Sequence, residues 1–120
     1  MKLILWVEDD AQVRKTILRS FGEFFTCVDF AFTGERGVYV LSAAFKPTHA
    51  AVVSDFDLGP GPTGADVLAA AERAGILVRI LCSGDTHGFV SVPSATGFYS
   101  KFRVKELVEK VLLPLCKEDA

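Results

Sequence analysis

The chain has 120 residues, 13 Lys+Arg against 15 Asp+Glu, and a formal net charge of −2. Half of it is apolar and 11% is aromatic, with ten Phe and a single Trp. This composition excludes a disordered or collagen-like chain and a strongly basic nucleic-acid binder, and the length suits one domain, residues 1–120, with a core of its own.

Leu3 to Val7 is a continuous apolar run without alternation, which predicts a strand buried on both faces and ending at Glu8-Asp9-Asp10. Val13, Ile17, Phe21 and Phe24 then recur at helical spacing from about residue 11. Thr26 to Phe32 reads as a second strand, and Thr33 as the cap of a helix lined by Val38, Leu41, Ser42 and Phe45 and ended by Pro47. Ala50 to Ser54 predicts a third buried strand running into Asp55 and Asp57, followed by the Gly59-Pro60-Gly61-Pro62 loop. Thr63 and Asp66 have capping-box spacing and open an Ala-rich helix that stops at Gly75. Ile76 to Cys82 predicts a fourth strand ending at Ser83-Gly84-Asp85. Residues 86–96 hold Gly88 and Pro93 and are poor helix material. Gly97 to Ser100 predicts a short fifth strand ending at Lys101. Val104, Leu107, Val108, Val111 and Leu112 define a last helix, expected to break near Pro114.

Cys27, Cys82 and Cys116 form no CxxC or Cys/His pattern. Cys27 and Cys82 lie in apolar, strand-like runs and read as buried small hydrophobes, which suits a reducing cytosol. No signal peptide precedes the first strand and no apolar run spans a membrane, so a cytoplasmic chain is expected. Trp6 reads as core, and His49 and His87 as isolated loop residues.

Alternating strands and helices, with several strands buried on both faces, predict an α/β fold with helices on both sides of a parallel sheet. Ligands of such sheets bind beyond the carboxyl ends of the strands. Glu8, Asp9 and Asp55 close two of those ends. Three neighbouring carboxylates repel one another unless a cation sits among them, and hard oxygens suit Mg²⁺ or Mn²⁺. Ser83 and Lys101, at two further ends, supply a hydroxyl and a fixed positive charge. The set fits a phosphoryl group forming on a carboxylate.

With Ile4-Leu5-Trp6-Val7-Glu8-Asp9-Asp10 and Arg14, Val52-Val53-Ser54-Asp55-Phe56-Asp57-Leu58 before Gly64, Leu81-Cys82-Ser83-Gly84, and Phe98-Tyr99-Ser100-Lys101-Phe102, the whole chain resembles the CheY-like receiver domain of response regulators. That resemblance implies a flavodoxin-like, doubly wound sheet of five parallel strands in the order 2-1-3-4-5. It implies that Asp55 accepts a phosphoryl group from a histidine kinase or phosphotransfer protein in two-component signalling, and loses it slowly to water. Glu8, Asp9 and Asp55 would hold Mg²⁺ with the backbone carbonyl of Asp57. Ser83 would bond a phosphoryl oxygen, Lys101 would pair with Asp55 and then with the phosphate, and Phe98 falls at the aromatic switch position. The chain ends soon after its last helix, so output would pass by contact with another protein, or the chain is a domain excised from a larger one; no nucleic-acid or membrane partner and no separate enzymatic output are expected.

Three features depart from the family. Where the family usually has Lys-Pro, Phe102 follows Lys101 directly, so the turn at Lys101 is expected to differ and its reach to Asp55 is left open. The interval from Ser83 to Lys101 is short, so the fourth helix is expected to be short or missing. One extra residue lies between Asp55 and Gly64, and Asp57 adds a carboxylate that either repels a phosphoryl dianion or orients the hydrolytic water. These departures keep a second reading open, a pseudo-receiver that docks proteins without phosphorylation. Remoter readings are a Toprim-like, metal-dependent nucleic-acid enzyme, from Glu8 with Asp55-x-Asp57, and a haloacid-dehalogenase-type phosphatase, from the same Asp-x-Asp.

Overall fold

Every residue of β1 (Ile4–Val7) and of β3 (Ala51–Ser54) is buried. Strands of this kind need a layer on each face, and both layers are present. The computed structural model describes residues 2–43, 49–84 and 92–117. In chain order it has β1, α1 (Ala11–Phe21), a 3₁₀ stretch (Gly22–Cys27), β2 (Val28–Ala31), α2 (Gly34–Ser42), β3, α3 (Gly64–Arg73), β4 (Val78–Ser83) and β5 (Gly97–Ser100). A 3₁₀ turn (Lys101–Arg103) then leads into the C-terminal helix, made of α4 (Val104–Leu107), a π-helical stretch (Val108–Leu112) and α5 (Leu113–Lys117). All five strands pair in parallel, in the order β2-β1-β3-β4-β5, which is the flavodoxin-like arrangement expected from the sequence.

The two-residue period of the strands divides their side chains between two cores. Ile4, Trp6, Ala51, Val53, Ile80 and Cys82 pack with Ile17 and Phe21 of α1 and with Val104, Leu107, Val108 and Leu112 of the C-terminal helix. Leu5, Val7, Val52 and Leu81 pack with Leu41 of α2 and with Val67, Leu68 and Ala71 of α3. Trp6 is core, as expected, and meets Phe21 edge-on with ring centroids 6.5 Å apart. All three cysteines are buried free thiols, though Cys27 ends the 3₁₀ stretch rather than lying in a strand.

The helices start where the caps place them. Asp10 accepts the N–H groups of Gln12 and Val13, Thr33 that of Arg36, and Thr63 and Asp66 form the reciprocal capping box. The second strand begins later than expected, at Val28. Gly22, at φ +56°, closes α1 and sends the chain into the 3₁₀ stretch, which takes up Thr26 and Cys27. The helix expected to break near Pro114 instead runs on to Lys117. Proline lacks an N–H and its ring collides with the carbonyl four residues back; the π-helical stretch just before it gives the turn the width it needs.

Between β4 and β5, no helix occurs among the described residues. Residues 92–96 form a turn, and the segment 85–91, with Asp85, His87 and Gly88, lies outside the described residues, as do Phe45 and Pro47. Arg79 of β4 pins the returning chain. It donates through Nε to the Ser94 carbonyl, through Nη1 to the Ile76 carbonyl at 2.7 Å and through Nη2 to Glu72 at 3.4 Å. Its backbone N–H meets the Thr96 hydroxyl at 2.8 Å, and Ser94 Oγ donates to Glu72 at 3.3 Å. Val92, just before this clamp, is buried against the α3 core.

Candidate functional site

Val7 and Ser54 are register partners on β1 and β3, so Glu8 and Asp55 leave the sheet side by side. Backbone bonds carry the ladder past both strand ends: Asp55 N–H donates to Val7 O at 3.1 Å, and Glu8 N–H to Ala31 O at 3.0 Å. From β1 the chain turns outward to β2, and from β3 it turns the opposite way to β4, so the crevice between β1 and β3 is the topological switch point. There, carboxylate oxygens of Glu8, Asp9 and Asp55 all lie within 4.8 Å of one another. Glu8 and Asp55 are buried, and Asp9 is exposed.

The loop after Asp55 is held against two helix starts. Gly64 N–H donates to the Phe56 carbonyl at 2.8 Å, and a Cβ at Gly64 would overlap the carbonyl oxygen of Asp55. A Cβ at Gly34 would likewise overlap the Pro62 carbonyl, so only glycine lets α2 and α3 close on this loop. Ser54 Oγ donates to the Asp55 carbonyl at 2.8 Å and adds a further tie.

Lys101 reaches the cluster. Its Nζ stands 2.9 Å from Asp55 Oδ2 and 3.3 Å from Glu8 Oε1. At the turn, Ser100 Oγ accepts the Phe102 N–H at 3.2 Å and the chain coils into the 3₁₀ turn. That turn directs Lys101 inward and leaves Phe102 92% exposed.

Burial pushes the Glu8 carboxyl up to about 7, against the pull of the Asp10 N–H and of Lys101. Burial works against the Lys101 charge, yet the hydrogen bond to Asp55 and the charges of Glu8 and Asp55 hold its pKa above the ordinary lysine value. The Cys82 thiol, raised by burial to about 12, stays protonated and takes no part.

Ser83 ends β4 opposite Ser100, in the strand position beside the Lys101 turn, and is buried. Phe98 is 40% exposed on β5, opposite Leu81, so it is not simple core. Asp10 and Asp57, two further acids beside these strand ends, are drawn into local structure. Asp10 caps α1, and Asp57 Oδ1 accepts the Gly59 N–H at 3.2 Å. His49 is not isolated: its Nε2 lies 3.2 Å from Asp29 Oδ2, before the start of β3 and apart from the cluster.

One contact gives Arg14 a role that the sequence only hinted at. Its Nη1 donates to the Glu8 carbonyl at 2.9 Å while its guanidinium lies over the Phe32 ring, 4.0 Å from the centroid. The motif contains Arg14, but no spacing rule links it to Phe32.

No protein-family model and no curated protein matches the sequence. Solved structures do. The N-terminal domain of a response regulator/sensory box/GGDEF three-domain protein from Carboxydothermus hydrogenoformans is 25% identical, with TM-score 0.76 over 95% of this chain and 92% of that one. The response regulator TrrA from Thermotoga maritima, in complex with Mg²⁺ and BeF, is 26% identical, with TM-score 0.76 over 92% of this chain and 96% of that one. This chain carries the receiver-domain fold. A CheY-like receiver domain protein from Methanospirillum hungatei, at 23% identity and TM-score 0.75, covers 98% of this chain and 95% of its own and shows the same fold. The receiver likeness supports two-component signalling in general. Among the described residues, no helix of this receiver-like domain is long and apolar enough to cross a membrane.

Proposed function

We propose that this receiver-like domain takes a phosphoryl group on Asp55 from a histidine kinase or phosphotransfer protein, and signals by contact with another protein. The observation that carries the reading is the Lys101 ammonium bridging Asp55 and Glu8 beside Asp9 at the switch point. Three carboxylates against one ammonium leave negative charge that a divalent cation offsets, and the donors are the hard oxygens Mg²⁺ prefers. Glu8, whose ionised form burial disfavours, gains most from such a neighbour. Glu8, Asp9 and Asp55 would hold Mg²⁺ or Mn²⁺, with the Asp57 backbone carbonyl as a further ligand. When bound, the metal supplies positive charge against the phosphoryl oxygens.

The remaining steps belong to the chain. An Asp55 carboxylate oxygen attacks the phosphorus of the donor. The phosphorus–nitrogen bond of phosphohistidine breaks with its electron pair going to the nitrogen, which takes a proton from solvent, so that neutral imidazole leaves. Lys101 shifts from the carboxylate to the new phosphoryl oxygens, where its fixed charge needs no rearrangement of solvent. Ser83 donates its hydroxyl to one of those oxygens, and Phe98, which is 40% exposed on the next strand, would follow it. Water later attacks the phosphorus, inorganic phosphate leaves, and Asp55 returns to the carboxylate.

Trp6, two residues before Glu8, is a built-in reporter. Its fluorescence is expected to change with Mg²⁺ and again with beryllofluoride, and the second change should vanish in Asp55→Asn. A Mg²⁺ response with no beryllofluoride response would favour the pseudo-receiver, a docking module that keeps the acids without phosphoryl chemistry.

A further inference from the structure

Each of Glu8's own polar groups has a partner. Its N–H donates to Ala31 O, its Oε2 accepts the Asp10 N–H at 3.2 Å, and its Oε1 meets Lys101. The remaining group is its carbonyl oxygen, which accepts Arg14 Nη1 at 2.9 Å. That oxygen belongs to the Glu8–Asp9 peptide plane, so whatever fixes it also fixes where Asp9 starts. Asp9 is the exposed member of the carboxylate cluster. Arg14 is fixed in turn by Phe32, whose ring face lies 4.0 Å from the guanidinium carbon, a cation–π stack. Phe32 follows β2 and is 57% exposed. A large apolar side chain left in water, yet stacked on a guanidinium that holds the turn, serves the turn rather than the core.

We propose that Arg14 and Phe32 are positioning residues that set the divalent-ion affinity of the Glu8–Asp9–Asp55 cluster without touching the ion. The inference rests on the metal site proposed above.

Electrostatics and positioning give opposite signs here. Arg14 is a cation near a cation site, so as a mere charge it opposes Mg²⁺, and its removal would tighten binding. As the anchor of the Glu8–Asp9 plane, its removal loosens the ligands and weakens binding, as loss of an outer partner of a metal ligand does. Lysine separates the two further. It keeps the charge but has neither the planar fork nor the stacking face of arginine.

The test is a Mg²⁺ titration of the full chain followed by Trp6 fluorescence, with a melting curve for each variant to show that it is folded. Arg14→Ala should raise the Kd about tenfold, and Arg14→Lys should fail to restore it. Phe32→Leu should raise the Kd about threefold, and Phe32→Tyr, which keeps the ring, should leave it at the wild-type value. An Arg14→Ala chain that binds Mg²⁺ as tightly as wild type, or more tightly, overturns the proposal while leaving the metal site intact. Wild-type protein that binds no Mg²⁺ by fluorescence or calorimetry overturns the metal reading itself, and this inference with it.

Discussion

β1 and β3 lie in the middle of the sheet with every residue buried, whereas β5, at its edge, buries none of its four residues fully. The acids and the lysine of the site therefore reach one crevice by different means. Glu8, Asp9 and Asp55 are placed by core: two adjacent strands in fixed register, packed on both faces, aim their ends at the same place. Lys101 is placed by polar contacts and side-chain length. The Ser100 cap, the 3₁₀ turn and the Arg79 clamp on residues 92–96 bring the edge strand home, and a long side chain covers the remaining distance. The central half rests on buried packing, whereas the edge half rests on polar contacts and side-chain length to deliver one ammonium group.

Four substitutions probe that contrast. Trp6→Ala opens the middle of the sheet and should cost about 3–5 kcal/mol in urea unfolding. A loss under about 1 kcal/mol would mean that the central strands are not the rigid half. Glu8→Gln tests the buried acid in metal-free protein. Its folded pKa, about 7, lies above the ordinary 4.5, so the stability present below pH 4.5 is lost as pH rises through 7. With chelator present, Glu8→Gln should be more stable than wild type at pH 8 by about 3 kcal/mol and equal to it at pH 4. A constant difference between those pH values would show that burial does not hold the proton.

Arg79→Ala removes the clamp and should cost about 1–3 kcal/mol. Amide exchange should quicken at residues 95 and 96 and stay unchanged in β1 and β3. Exchange quickening equally across all strands would erase the distinction between the halves. The smallest effect is expected at Phe102→Ser. A side chain 92% exposed contributes little to the core, so stability should move by no more than about 0.5 kcal/mol.

The central half was legible because its signals are local and mutually consistent. Continuous apolar runs stop abruptly at acids, and Thr33 and Thr63 cap the helices that follow. The same logic misplaced the start of β2, where Thr26 and Cys27 look strand-like but Gly22, at φ +56°, turns the chain into a 3₁₀ stretch first. Pro114 reads as a break in any helix, and only the packed C-terminal helix shows how a π-helical stretch absorbs it. Asp10 and Asp57 carry the right charge for the site, but local N–H groups claim their carboxylates before a shared ligand does. The reach of Lys101 and the Arg14–Phe32 stack were the least legible. Both join residues from separate elements, and no spacing in the chain reports such a distance.

The proposed chemistry turns on Asp55 as the phosphoacceptor of a working receiver site. Mass spectrometry of the intact chain after incubation with acetyl phosphate and Mg²⁺ tests it directly. One added phosphoryl group is expected, absent in Asp55→Asn and absent when the metal is chelated. No incorporation in folded wild-type protein with Mg²⁺ bound, or undiminished incorporation in Asp55→Asn, would contradict the claim.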